Sequence, residues 1–173
     1  FKSQSLIEHL SAGWQIGGLL PDHFVTAVPA QMRRGQMWYE GSADAVYQNV
    51  YSIVQESPQH VLVLSGDHVY KMDYSRMLRF HKERGAAVTL AAIEIPIQET
   101  YRFGVLSVDQ EDKVTGFIEK SKAAPSIPGS PDLALGSMGI YVFNTDVLLR
   151  ALEADAARPS SHGPHIPPCM AHP

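Results

Sequence analysis

The sequence predicts an α/β fold with a mostly parallel, Rossmann-like sheet. Three observations support this prediction: a short apolar run at 61–64 (VLVL), amphipathic helical spacing on both sides of it, and repeated alternation of such segments along the chain. Turn residues between two apolar runs near 104–118 predict an antiparallel insertion, so the sheet is expected to be mixed. With 173 residues, the chain is long enough for one domain with an ordinary hydrophobic core.

The first half of the chain contains two predicted helices and two predicted strands. Ser3 is expected to cap a short helix, and residues 24–28 (FVTAV) predict a strand that stops at Pro29. Ser42 is the predicted N-cap of the second helix, because apolar residues then recur at helical spacing: Val46, Val50, Ile53 and Val54. The run at 61–64 predicts a strand buried on both faces.

The second half continues the alternation. Asp73 is expected to cap a helix that Gly85 closes, and Thr145 is expected to cap the last helix. The predicted strands are 86–95, 104–108, 113–118 and 138–143. Residues 121–136 contain three prolines and two glycines, and we expect an irregular loop there.

Composition excludes several classes of function. The net charge of −4 argues against non-specific binding to nucleic acid or to an anionic membrane. A single cysteine excludes an internal disulfide framework and a multi-cysteine zinc site. No apolar run reaches the roughly 20 residues that cross a bilayer. We therefore expect a soluble, cytoplasmic protein.

The last residues differ in character from the rest. Five prolines and three histidines follow Arg158 without any periodicity, and the spacing of these histidines and Cys169 matches no zinc site. We expect one domain over residues 1–157 and a disordered tail over 158–173.

The best candidate for a site follows the most apolar strand. Ligands of open α/β sheets bind beyond the carboxyl ends of the strands, and here Gly66 and Asp67 occupy that position. Gly66 allows close approach to the backbone, and a carboxylate oxygen of Asp67 suits Mg²⁺. The alternative is that Asp67 merely caps a turn. The residues alone leave both interpretations open.

Two further segments carry weaker signals. Trp38 and Tyr39 precede a Gly41-Ser42 helix start, an arrangement that suits a phosphate or a stacked base. The alternative interpretation makes the aromatics loop anchors and Ser42 a plain cap. Lys120 ends a predicted strand, where it either binds a sugar phosphate or is simply solvated.

Taken together, five motifs resemble one family. They occur here in a single order: WYEGSADAVYQN (38–49), LSGDHVYKMDYSRML (64–78), FGVLSVD (103–109), GFIEK (116–120) and SMGIYVF (137–143). The chain resembles the ADP-glucose pyrophosphorylases, or glucose-1-phosphate adenylyltransferases, of bacteria. The resemblance covers residues 1 to about 162 and implies a Rossmann-like nucleotidyltransferase fold.

The resemblance also implies an activity. Members transfer the adenylyl group of ATP to α-D-glucose 1-phosphate, giving ADP-glucose and pyrophosphate for glycogen biosynthesis, with Mg²⁺ as the cofactor. The sugar phosphate attacks ATP directly, so catalysis rests on positioning and electrostatic stabilisation rather than on a side-chain nucleophile. The family further implies a homotetramer.

Site residues are carried over by their place in the motifs. The resemblance assigns catalytic roles to Asp67, the metal ligand, and to Lys120. It assigns glucose 1-phosphate to Gly104, Glu119, Lys120 and Ser137. It assigns the nucleotide to Tyr39 and Gly41, and allosteric activation to the loop residues Gln31 and Trp38.

The sequence also departs from the family pattern. The glycine-rich phosphate loop of the family is expected before residue 1, and the second metal-binding aspartate and the β-helix domain are expected after residue 173. We therefore expect a sheet that is incomplete at both ends and a 173-residue chain that is inactive and marginally stable alone. Alternative functions are a sugar-phosphate nucleotidyltransferase that uses UTP or dTTP, and a non-catalytic nucleotide-binding or truncated product.

Overall fold

The structure is a computed structural model that describes residues 4–14, 23–28, 39, 41–66 and 69–156. The chain divides into two units, residues 1–39 and 40–173. The first contains helix α1 (Gln4–Gly13), as predicted. The strand predicted at 24–28 is wrong, since these residues have no regular secondary structure. A strand needs a neighbour for its backbone hydrogen bonds, and none of the described strands pairs with this segment.

The second unit contains the sheet. Its helices are α2 (Ser42–Gln48), α3 (Val50–Glu56), α4 (Tyr74–Glu83) and α5 (Thr145–Ala156). Its strands are β1 (His60–Val63), β2 (Val88–Pro96), β3 (Gly104–Val108), β4 (Val114–Glu119) and β5 (Leu133–Asn144). A 3₁₀ helix (Ile97–Arg102) joins β2 to β3.

Strand β5 is the centre of the sheet. β2 pairs along one edge of β5, while β1 and β3 share the other edge and β4 pairs with β3. The α/β class is confirmed, but every pairing among the described strands is antiparallel, which differs from the mostly parallel sheet that we predicted. β1 and β2 do run in the same direction with α4 between them. The difference arises because β5 lies between β1 and β2 and pairs with both. A local sequence pattern cannot predict a pairing with a strand so distant along the chain.

Helices cover both faces of the sheet. On one face, Tyr141 and Phe143 of β5 pack with Ala43 of α2 and Leu148 of α5. On the other face, Met77 of α4 packs with Ile140 and Val142 of β5. A third cluster, formed by Ile95, Val105 and Ala134, lies where β2, β3 and β5 meet. These contacts bury the alternating residues of β5 from both sides, as expected for the central strand.

Several local expectations need correction. The single helix predicted from Ser42 is broken at Asn49, where φ is −114° and the side chain donates to the carbonyl of Ala45 at 2.7 Å. Its N-cap is Gly41 rather than Ser42. Thr145 Oγ1 donates to the carbonyl of Pro58 at 2.6 Å instead of serving as a predicted cap. β5 begins at Leu133, inside the predicted loop.

Some features lie beyond what the structure describes. The predicted tail at 158–173 lies outside the described residues. Within the described part of the chain, no helix is long and apolar enough to cross a membrane.

Candidate active site

The candidate site surrounds an interruption in the sheet. On one edge of β5, β1 pairs with residues 141–144 and β3 pairs with residues 135–136. Residues 137–140 therefore face the space between the end of β1 and the start of β3. Ligands of α/β proteins commonly bind where adjacent strands diverge in this way, because the sheet opens there into a crevice.

A bulge in β5 brings two polar side chains together at this interruption. β2 pairs Leu90 with Tyr141 and Ala92 with Ser137, so β5 has two extra residues between these pairs. Gly139 lies in the bulge with φ +68°, a conformation that L side chains rarely adopt. As a result, Ser137 Oγ and Tyr141 Oη lie on one face of the sheet, 3.5 Å apart.

The segment that precedes Asp67 lies against this bulge. Ser65 follows β1 by two residues, and its Cβ is 3.6 Å from the point that a side chain would occupy on Gly139. The Ser65-Gly66 turn therefore reaches the same part of the sheet as Ser137. Asp67 itself lies outside the described residues, as does His68.

Three of the predicted sugar-site residues lie on neighbouring strands. Gly104 of β3 pairs with Glu119 of β4. The last β3–β5 pair is Val105 with Gly136, and Gly104 and Ser137 are the next residues beyond it on their two strands. The row Glu119–Gly104–Ser137 thus crosses three strands, and the structure brings these predicted residues together.

Lys120 follows this row directly. Its φ of +45° is left-handed, and its backbone N–H donates to the carbonyl of Phe103 at 2.9 Å. Its Nζ lies 3.6 Å from Oε1 of Glu119, and both side chains are about half exposed or more, at 65% and 48%. Strained backbone conformations of this kind cluster at functional sites, and here the strain lies at the residue that carries the amino group.

Tyr141 has an unusual electrostatic environment. Burial raises the pKa of its phenol, the hydrogen bond to Ser137 lowers it, and the charge of Glu119 raises it further. The phenol is therefore neutral near pH 7 and remains a hydrogen-bond donor. Of these causes, burial has the largest effect.

The predicted nucleotide residues are placed less completely. Gly41 is the N-cap of α2, and Ala43 of the same helix packs in one cluster with Tyr141. The start of α2 therefore belongs to the face of the sheet that carries Ser137 and Tyr141. Tyr39 is half-buried and belongs to the first unit. The predicted allosteric residues Gln31 and Trp38 lie outside the described residues.

The donors for a divalent cation are also only partly described. Within the ranges that the structure describes, no group of three His, Cys, Asp or Glu side chains is arranged to hold a metal ion. A single carboxylate beside a glycine turn nevertheless fits Mg²⁺, which takes one or two protein carboxylates together with substrate phosphates. The Ser65-Gly66 turn before Asp67 has this character.

Comparison with known proteins decides the family. The nucleotidyl transferase family profile matches residues 1–170. The chain belongs to the nucleotidyl transferase family. The nucleotidyltransferase class of the fold, which the five motifs implied, is thereby confirmed, and the relatives described next confirm the resemblance itself. Enzymes of this class generally use a divalent metal.

Curated relatives carry one name. A glucose-1-phosphate adenylyltransferase 1 of Vibrio vulnificus (strain YJ016) is 50% identical over 161 residues, which cover 93% of this chain and 40% of the relative. Glucose-1-phosphate adenylyltransferases of Dechloromonas aromatica (strain RCB) and Thermus caldophilus are each 47% identical, over 94% and 90% of this chain and 37% and 39% of their own lengths. The chain thus spans about 40% of the length of the curated relatives that it matches.

Sequence reasoning missed two residues of the site. Tyr141 reaches Ser137 because of the bulge, and a glycine inside a strand pattern, Gly139, is the signal that predicts one. Phe117 packs against Gly104, a contact described below. Its signal is its position two residues before Glu119, which places both side chains on one face of β4.

Proposed function

We propose that this family member transfers the adenylyl group of ATP to α-D-glucose 1-phosphate, giving ADP-glucose and pyrophosphate in glycogen biosynthesis. The names and the identity of the curated relatives support this activity. The observation that carries the proposal is the row Glu119–Gly104–Ser137 beside Lys120 and Tyr141, because it combines a cation for a phosphate with several groups for sugar hydroxyls.

The sugar phosphate binds at this row. Lys120 attracts the phosphate of glucose 1-phosphate as a point charge. The Glu119 carboxylate accepts hydrogen bonds from sugar hydroxyls, while the hydroxyls of Ser137 and Tyr141 both donate and accept. Gly104 adds no side chain of its own to this surface. A carboxylate and two hydroxyls give the directional contacts that distinguish one hexose from another.

The nucleotide binds on the side of Tyr39 and Gly41. Gly41 precedes α2 and offers its backbone to the nucleotide, and the resemblance to the family assigns Tyr39 of the first unit to the same ligand. Asp67 would hold Mg²⁺ on the phosphates of ATP, where the ion neutralises negative charge as it develops. Gln31 and Trp38 are proposed to link this side to an allosteric effector.

The reaction is a direct displacement. An oxygen of the sugar phosphate attacks the α-phosphorus of ATP, the bond from that phosphorus to the bridging oxygen of the β-phosphate breaks, and pyrophosphate leaves with the bonding electrons. Lys120 holds the attacking phosphate in line, which replaces a chance encounter by a fixed geometry. No covalent enzyme intermediate is needed.

The test measures product and nucleotide preference together. The complete protein is incubated with Mg²⁺, glucose 1-phosphate and either ATP, UTP or dTTP, and the nucleotide sugar is quantified by chromatography alongside pyrophosphate release. We expect ADP-glucose with ATP and much less product with UTP or dTTP. A preference for UTP or dTTP would support another nucleotidyltransferase, and nucleotide binding without product would support a non-catalytic role.

Assembly and location are tested separately. We propose a cytoplasmic homotetramer for the complete protein, which light scattering and cell fractionation measure. We also propose that residues 1–157 belong to the catalytic domain.

A further inference from the structure

Two side chains of β4 occupy the space above Gly104. A Cβ atom at Gly104 would clash with Cζ of Phe117, lie 2.7 Å from its Cε2, and lie 3.0 Å from Oε2 of Glu119. Real Cβ atoms essentially never come within 3.0 Å of another group. Gly104 therefore leaves a slot in β3, and the ring and the carboxylate both fill it.

The strand register explains why these groups meet. Gly104 pairs with Glu119 and Leu106 pairs with Phe117, so the two β4 side chains stand on one face, two residues apart. The outer atoms of both side chains lie over Gly104. With any larger residue at position 104, the ring or the carboxylate has to shift.

The ring and the slot limit where the carboxylate can lie. One oxygen of Glu119, Oε1, faces Nζ of Lys120 at 3.6 Å, and the other, Oε2, lies over Gly104. The side chain of Glu119 is 48% exposed, so solvent alone would leave it several rotamers. The Phe117 ring lies in the same slot and excludes some of them. The carboxylate charge also raises the pKa of Tyr141.

We propose that Phe117 is a positioning residue that sets the affinity and selectivity for the hexose phosphate by holding the Glu119 carboxylate over Gly104. Phe117 itself does not need to touch the sugar. The inference rests on the proposed function, because it takes Glu119 as the acceptor of sugar hydroxyls. What it adds is a role for Phe117, which holds the Glu119 carboxylate in place, and a role for Gly104, whose lack of a side chain leaves room for both groups.

The main test compares Phe117→Ala and Phe117→Leu with a control on the same strand. Ile118→Ala is the matched control, since Ile118 is 38% exposed and pairs with Val105 on the opposite face of β4. In the complete protein we expect both Phe117 variants to raise KM for glucose 1-phosphate, by about tenfold for the alanine. KM for ATP should stay within about twofold, and discrimination against galactose 1-phosphate should fall. Ile118→Ala should change none of these values.

A double-mutant cycle tests the contact itself. Gly104→Ala inserts a methyl group where the ring lies, so it should raise the same KM. Combined with Phe117→Ala, the effects should not add, because both changes release the same carboxylate. Additive effects, or a Phe117→Ala variant in which KM for ATP rises as much as KM for the sugar phosphate, would overturn the proposal.

Two further measurements separate this proposal from the proposed function. If Glu119→Gln leaves KM for glucose 1-phosphate unchanged, the assignment of the sugar site fails; if Glu119→Gln raises it and Phe117→Ala does not, only the positioning role fails. Where the complete protein forms no nucleotide sugar, crystal structures of the parent and of Phe117→Ala decide the question. A carboxylate that stays over Gly104 without the ring overturns the proposal, and a displaced one supports it.

Discussion

His81 donates a hydrogen bond from Nε2 to Oδ1 of Asn144 at 3.1 Å, and this contact ties helix α4 to the end of strand β5. The direction follows from the amide: Nδ2 of Asn144 donates to the carbonyl of Ala86, so Oδ1 accepts. His60 reaches the same oxygen from Nδ1 at 3.1 Å. With its proton on Nε2, His81 accepts from the Thr89 hydroxyl at Nδ1, at 2.8 Å.

Removal of the His81 ring is therefore expected to destabilise the fold. His81 is 1% exposed, so His81→Ala leaves a cavity and deprives the Thr89 hydroxyl and the Asn144 oxygen of a partner. We expect a loss of about 2–4 kcal/mol in the free energy of unfolding, measured by denaturant titration of the complete protein. Lys82→Ala, on the exposed side of the same helix, should cost less than about 0.5 kcal/mol. Equal losses for the two variants would contradict this role of His81.

The N-cap of α4 is expected to depend on pH. The hydroxyl and the backbone N–H of Ser75 donate to Oδ1 of Asp73 at 2.6 and 3.0 Å, and these hydrogen bonds lower the pKa of the carboxyl. A lowered pKa stabilises the fold above the pKa of the unfolded chain, and this contribution is lost as pH falls through the folded value. Asp73→Asn keeps a capping oxygen without a charge.

This pair gives a measurement with an internal control. We expect the melting temperature of the parent to fall more between pH 6 and pH 3, a range of about three units around the ordinary carboxyl pKa, than that of Asp73→Asn. Asp73→Ala should melt lower than both at pH 6, because it lacks any cap. Identical pH dependence in the parent and Asp73→Asn would show that this carboxylate does not contribute.

The features that the sequence predicted correctly depend on neighbours along the chain. Helix α4 needs Asp73 at its start and Gly85, with φ +56°, after its end, and both signals lie within the segment. The β3–β4 hairpin was likewise predictable from two apolar runs around a polar turn. The motif residues Glu119 and Ser137 were found by resemblance, and their convergence follows from strand register.

The features that were missed depend on partners far away in sequence. Leu62 lies in a strand predicted to be buried on both faces, yet it is 39% exposed. Its burial depends on which elements pack over β1, and these elements are distant in sequence. Gly139 is a signal for a bulge, but the two extra residues that bring Tyr141 to Ser137 follow from the pairing with β2. The role proposed for Phe117 depends on the space over Gly104, which lies on a different strand. Local periodicity contains none of these relationships.

Asp67 is expected to affect the chemical step rather than sugar binding. In the complete protein, Asp67→Asn should lower kcat by at least about a hundredfold and change KM for glucose 1-phosphate little, because a metal ligand acts on charge that develops in the transition state. Asp109→Asn, in the exposed turn between β3 and β4, is the control and should leave both constants unchanged. Parent-like turnover in Asp67→Asn would remove it from the metal site.

Tyr141 is expected to contribute its hydroxyl to the sugar site and its ring to the core. The residue is 6% exposed and packs with Phe143, so Tyr141→Phe keeps the ring and should cost no more than about 1.5 kcal/mol in stability. Loss of the hydroxyl should raise KM for glucose 1-phosphate several-fold, with little change in KM for ATP. Steady-state kinetics and a denaturant titration check the two parts, and an unchanged sugar KM would place the hydroxyl outside the site.

Lys120 allows strain and function to be separated by a pair of substitutions. Its φ of +45° is unfavourable for any L side chain and costs glycine nothing. Lys120→Ala and Lys120→Gly both remove the amino group and the solvent-screened ion pair with Glu119, which contributes little to stability.

Both Lys120 variants should therefore show the same rise in KM for glucose 1-phosphate, of about tenfold or more, with KM for ATP nearly unchanged. Their stabilities should differ. We expect Lys120→Gly to unfold with a free energy about 0.5–1 kcal/mol above that of Lys120→Ala, because the relief of strain exceeds the entropy that glycine adds to the unfolded chain. Kinetics and denaturant titration of the two proteins side by side provide the check. If the sugar KM followed stability instead of the lost amino group, Lys120 would hold the backbone turn rather than the phosphate.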